Sequence, residues 1–243
     1  MGSSEKRPPL HLLANDAAYY SACACHREWH HLAAAGHDAS QTIQAREYVK
    51  RSFYAQMLNE DCAPAPSVDR VNYIIVNGTR QDIADGQPGV QFVLDVGIID
   101  TSTCQPLTGV LAEVWHANAT GDYDDSSLRG AAVSGENGIV EFQTIFPGFT
   151  SEGANHINIA IHSGNTMDST IVYTGRVFFT DFWTDVISKA DNYTGNTHQR
   201  ILNADDPNFT TASGSGFNPV VDVVSIEDDW PAGVIGYITV AIA

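Results

Sequence analysis

The sequence predicts a mainly β protein: an antiparallel β-sandwich preceded by an N-terminal helical arm. Three observations carry this. Apolar residues alternate with a period of two through the later two thirds of the chain. Turn signals separate those runs. An Ala-rich stretch with apolar residues every four places comes before them. A chain of 243 residues has room for one large β domain plus an extension. The expected division is an arm over 1–61 and a sandwich over 62–243.

Residues from about 15 to 60 read as helical. Val49, Phe53 and Met57 recur every four residues and so share one face. The segment Cys62-Ala-Pro-Ala-Pro66 then stops a helix, because Pro supplies no N–H to the i−4 carbonyl. Beyond it, Val90, Phe92, Leu94, Val96 and Ile98 lie on one face of a strand over 90–99. Similar short runs occupy 109–115, 139–146, 156–162, 171–179, 219–226 and 234–242. Asp85-Gly86, Glu136-Asn137-Gly138, Pro147-Gly148 and Gly214-Ser215-Gly216 punctuate them. Seven or more short strands with irregular connections favour a sandwich, with a barrel second. The polar stretch 181–218 reads as largely irregular, with one short helix near 182–189.

Composition limits the function classes. Hydrophobic residues make up 43% and charged residues 17%, as in a globular protein. The formal net charge of −17 argues against nucleic acid and against anionic membrane surfaces. No apolar run reaches the roughly 18 residues that a spanning helix needs. Cys23, Cys25, Cys62 and Cys104 allow three full pairings. A Cys62–Cys104 bridge is expected, because it would pin the end of the arm to a strand-end turn. Cys23 and Cys25 stand too close in sequence to pair comfortably with each other. Sequons at Asn77, Asn118, Asn192 and Asn208 point to the secretory pathway, with a cytoplasmic protein as the alternative. The opening Met1-Gly2-Ser3-Ser4 reads as an expression leader in place of a signal peptide. Cys23, Cys25 and His26, with His30 and His31, could suggest a metal site. The Cys spacing is tighter than zinc sites use, so packing or disulfide use is expected instead.

Three segments together resemble one family. The first is Ile83-Ala-Asp-Gly-Gln-Pro-Gly89, leading into a strand that ends Ile99-Asp-Thr-Ser-Thr-Cys104-Gln-Pro. The second is Val114-Trp-His-Ala-Asn-Ala-Thr-Gly-Asp-Tyr123, followed by Leu128-Arg129-Gly130. The third is Phe142-Gln-Thr-Ile-Phe-Pro-Gly148, followed by His156-Ile-Asn-Ile. In order and spacing they resemble the intradiol ring-cleavage dioxygenases of the fungal extracellular type, from about residue 62 onward. The resemblance implies an intradiol dioxygenase-like sandwich around Fe(III) held by two tyrosinates and two histidines. Hard ferric iron suits anionic phenolates, and imidazoles complete its shell. At those four positions this chain has Tyr123, Thr150, His156 and Asn158. The family's Arg three residues before the first His is Gly153, and a pocket-wall Gln is Arg176.

With two of four ligands replaced, no stable iron and no other cofactor are expected. The leading expectation is a metal-independent enzyme acting on a phenolic or quinonoid natural-product intermediate, a cyclase or pericyclase of secondary metabolism. Tyr123, His156, Asn158 and Arg176 would be its catalytic groups. Tyr73, Trp115, Phe149 and Thr150 would line the substrate. The partner would be a small aromatic or quinonoid molecule, with neither nucleic acid nor membrane, and a homodimer is compatible with the reading. The alternatives are an iron dioxygenase with altered ligands and a non-catalytic aromatic-binding protein.

Overall fold

The computed structural model describes Met57 and residues 62–75, 78–226 and 230–243. Apart from Met57, the expected arm over 1–61, with Cys23, Cys25, His26, His30 and His31, lies outside them. Among the described residues there are nine strands: β1 (Gln91–Asp100), β2 (Gln105–Pro106), β3 (Leu111–Trp115), β4 (Arg129–Val133), β5 (Ile139–Ile145), β6 (His156–His162), β7 (Ile171–Phe178), β8 (Asp222–Ser225) and β9 (Val234–Ile242). They form two sheets. One has the order β2-β1-β9-β8 with β5 also on β1, and the other has the order β4-β3-β6-β7.

The alternation of β1 puts Phe92, Leu94, Val96 and Ile98 into the space between the sheets. They meet Val114, Ile157, Ile159, Ile161 and Val177 from the second sheet in one apolar core. Burying these side chains is the main driving force for closing the two layers. Most pairings are antiparallel, as expected, but β1 and β9 run parallel from Phe92↔Val234 to Asp100↔Ile242. Strands so far apart in sequence leave no turn between them to announce the pairing. Two strands were not expected. β2 has two residues, and β4 is Arg-Gly-Ala-Ala-Val with no large alternating apolar side chains. Each exists because a neighbour supplies its hydrogen bonds.

The stretch 181–218 holds α1 (Asp181–Ile187) and α2 (Pro207–Ala212) among short 3-10 turns. Thr180 caps α1 by accepting from the Trp183 amide. Asp206 caps α2 through the Asn208 amide, with Pro207 in the first turn, where a missing N–H costs nothing. No helix among the described residues is long and apolar enough to cross a membrane.

Cys62 and Cys104 are bonded, with Cα atoms 5.7 Å apart. The segment after Cys62 runs along the end of β9, where the Ala65 amide donates to the Ala241 carbonyl at 2.9 Å. Closing a loop with sequence separation 42 restricts the unfolded chain. By chain entropy this contributes roughly 4 kcal/mol. Replacing both cysteines by Ser is expected to lower the denaturation midpoint by a corresponding amount without altering the folded far-UV spectrum. A Cys62→Ser/Cys104→Ser protein as stable as the parent would contradict this.

Candidate active site

Strand β6 is buried on both faces. Ile157, Ile159 and Ile161 enter the core, so His156, Asn158, Ala160 and His162 must occupy the opposite face of the sheet. Cross-strand register aligns Arg129, Trp115, Asn158 and Arg176 in one row over β4, β3, β6 and β7. All four are no more than 3% exposed. A polar row on a buried face has to find partners within the protein or from a ligand.

Tyr123 joins this row from the loop after β3. Asn118 Oδ1 organises that loop by accepting from the Thr120 and Asp122 amides and from the Thr120 hydroxyl. Gly121 has φ +87°, and a Cβ there would strike the Phe149 carbonyl and the His198 ring. The loop thus delivers the Tyr123 hydroxyl 2.9 Å from Asn158 Nδ2 and 3.3 Å from His156 Nε2.

The proton positions follow from the partners. His156 Nδ1 lies 2.7 Å from the Ala154 carbonyl, which only accepts, so Nδ1 carries the proton and Nε2 is a bare acceptor. The Asn158 Nδ2 group donates to the Trp115 carbonyl at 3.3 Å and to Tyr123. Tyr123 therefore accepts from Asn158 and donates to His156. The result is a directional chain from Asn158 through Tyr123 and His156 to Ala154. Burial pushes the Tyr123 hydroxyl up to about 12 and the His156 imidazolium down to about 4, where Arg176 adds to the effect. At neutral pH both are uncharged.

Arg176 enters from β7 beside Gly153. A Cβ on Gly153 would stand 3.3 Å from Arg176 Nη1 and 2.6 Å from Asp206 Oδ2. Arg176 Nη1 thus lies beside position 153. Asp206 has both oxygens engaged, on the Ala154 and Asn208 amides. Sequence reasoning missed Asp206 at the site. Its Asp-Pro step signals a helix start but not the reach back to the loop before β6.

The four expected pocket-wall residues divide. Trp115 is part of the row, and its indole N–H donates to the Val71 carbonyl at 2.8 Å. Tyr73 packs edge-on against it at 5.1 Å, with Arg70 over its other face at 4.5 Å. Thr150 is buried with its hydroxyl accepting from the Glu152 amide. Phe149 lies apart from the row, packed among Phe146, Asn155, Thr184, Ile187 and Tyr193 with no room for a ligand. A second polar cluster adjoins Tyr73. The Tyr73 hydroxyl donates to Glu113 Oε1 at 2.9 Å, and His162 Nε2 lies 2.6 Å from the same oxygen. Glu113 was not anticipated, although a lone Glu in Leu-Ala-Glu-Val-Trp was a signal.

These residues do not fit ferric iron. Tyr123 would have to ionise against its burial, and its proton is committed to His156. Thr150 and Asn158 offer only neutral oxygens, and Thr150 spends its own on a backbone amide. Arg176 brings a positive charge close enough to disfavour the His156 imidazolium. A trivalent ion would meet one reluctant phenolate and an adjacent cation.

No protein-family model matches the sequence, and neither does any curated protein. Solved structures do match. An intradiol ring-cleavage dioxygenase from Tetranychus urticae superimposes with TM-score 0.65 at 24% identity, covering 74% of this chain and 94% of that one. A second dioxygenase gives 0.66 at 24% identity over 75% and 95%. The dioxygenase domain of a carbohydrate-binding fusion protein from Streptomyces sp. SirexAA-E gives 0.52 at 21% identity over 74% and 97%. Superposition over about three quarters of this chain and nearly all of the matched chains means that this chain has the fold of the intradiol ring-cleavage dioxygenases.

Proposed function

We propose that the Tyr123 cluster binds a phenolic or quinonoid ring and guides its cyclisation or cycloaddition without a metal. One observation carries the reading. Tyr123 sits in a fixed hydrogen-bond chain whose terminal base, His156, is neutral, with the cationic Arg176 alongside. A ring entering beside Tyr123 would meet a phenol donor for a carbonyl oxygen. Arg176 would stabilise negative charge developing on that oxygen. His156 would take a phenolic proton or return one through Tyr123. Asn158 would hold the Tyr123 oxygen in place. Orientation alone lowers the barrier of a well-placed reaction by roughly 7–11 kcal/mol, so a reactive quinonoid needs little further assistance. The disulfide supports an oxidising compartment, in keeping with secretion.

Three outcomes are expected. Purified protein exposed to ferric salt and then desalted is expected to retain far less than one iron per chain and no visible tyrosinate charge-transfer band. Near-stoichiometric, coloured iron would favour an iron dioxygenase with altered ligands. Turnover on phenolic and quinonoid candidates, assayed in EDTA, is expected to fall roughly 10²–10³-fold in Tyr123→Phe and Arg176→Gln proteins that melt normally. Full activity in both would remove the cluster from the chemistry, and binding without any product would favour a non-catalytic ligand carrier.

The third outcome concerns pH. His116, with Nδ1 on the Ala117 carbonyl and Nε2 on the Thr144 hydroxyl, is pushed down to about 4 by burial, like His156. Unfolded imidazoles protonate near 6.5. Below that value the unfolded state binds protons that the folded state refuses, so stability is held above about 6.5 and lost as pH falls towards 4. Melting temperatures across that window are expected to fall with an uptake approaching about two protons on unfolding. A His156→Gln protein is expected to lose about half of that dependence. A flat profile between those limits would contradict the protonation states assigned here.

A further inference from the structure

The two arginines at the ends of the buried row are treated differently. Arg129 donates from Nε and Nη2 to the Asp124 carbonyl and from Nη1 to the Asn72 carbonyl. Arg176 is equally buried, at 3% exposure, yet its Nε and Nη1 have no acceptor. Among the described residues it forms no ion pair. Asp206, the acid beside Gly153, already accepts from two backbone amides. Its cross-strand partner Asn158 is also incomplete. Nδ2 is used twice, while Oδ1 is buried and accepts nothing. Tyr123 and His156 are neutral, so Arg176 and the backbone-bonded Asp206 are the charged groups at the site, and Arg176 Nε and Nη1 stay without an acceptor.

An unpaired cation is costly to bury, and so is an unpaired acceptor beside it. Their pattern is the complement of a ligand. We infer that the site takes a flat ring carrying an anionic oxygen group, such as a carboxylate or an ionised enol. The anion would pair with Arg176, and a neighbouring hydroxyl would donate to Asn158 Oδ1. The inference rests on the pocket reading above and narrows it to anionic substrates. It also assigns the binding roles within the row: Arg176 selects the charge, Asn158 orients the ring, and Arg129 is structural. The chain's net charge of −17 works against anions at long range, so the selectivity has to come from this buried contact.

The test uses benzoate and its neutral isostere benzamide as probes, read by calorimetry and by thermal shift on the intact protein. Benzoate is expected to bind one site per chain at least about tenfold more tightly than benzamide. In Arg176→Gln the preference is expected to shrink to within about threefold. Asn158→Asp provides a second variant, because it puts a counterion next to Arg176 and is expected to abolish the preference in the same way. Equal affinity for the two probes in the parent protein, no detectable binding of either, or a benzoate preference that survives both substitutions would each overturn the inference. These readouts are independent of turnover. Failure of the metal-free reaction with benzoate selectivity intact would sink the proposed chemistry and leave the anion site standing.

Discussion

The structure depends on a sheet whose two central strands, β3 and β6, have no solvent face. In an ordinary antiparallel sandwich the strand residues that miss the core face water and need no further partners. Here the second sheet is covered on its far side as well, and β6 has no exposed residue. Each polar side chain on that covered face must therefore be tied to a defined neighbour. That requirement produces the chain from Asn158 to Ala154, the Glu113–His162–Tyr73 cluster and the anchoring of Arg129. It also makes the exceptions at Arg176 and Asn158 Oδ1 informative, because they stand in a row where every other donor has been placed.

Much of the fold was legible because alternation is a local signal. β6 and β9 have the expected bounds, and β1, β5 and β7 differ from theirs by a residue. What escaped was non-local. β4 reads as small residues and is a strand only because β3 lies next to it. The parallel pairing of β1 with β9 joins segments separated by most of the domain. Legibility of the site followed the same division. His156 and Asn158 share a face by spacing alone, and Tyr123 came from the family resemblance. That Asn158 pairs with Arg176 is a matter of register, which one sequence does not encode locally. The reach of Asp206 to Ala154 spans 52 residues and has no local signature.

Charge and burial reinforce each other around Tyr123. A tyrosine that is to act as a ligand needs nearby positive charge or solvent to lose its proton. One that is to act as a donor needs the reverse, and here burial outweighs the influence of Arg176 and Arg129. The same burial keeps His156 unprotonated, so donor and acceptor remain a matched pair. Tyr123 therefore bonds to His156 and Asn158, while Arg176 Nε and Nη1 and Asn158 Oδ1 stay open.

The placement of β9 has a consequence for synthesis. It lies between β1 and β8, is buried along its whole length, and receives the segment that follows Cys62. The strands of the second sheet, by contrast, lie between residues 111 and 178 and can pair once that stretch has left the ribosome. Until β9 emerges, β1 has one edge open along its whole length. Assembly of the first sheet is then a late event, and the nascent chain passes through a period in which an unpaired central strand can find the wrong partner.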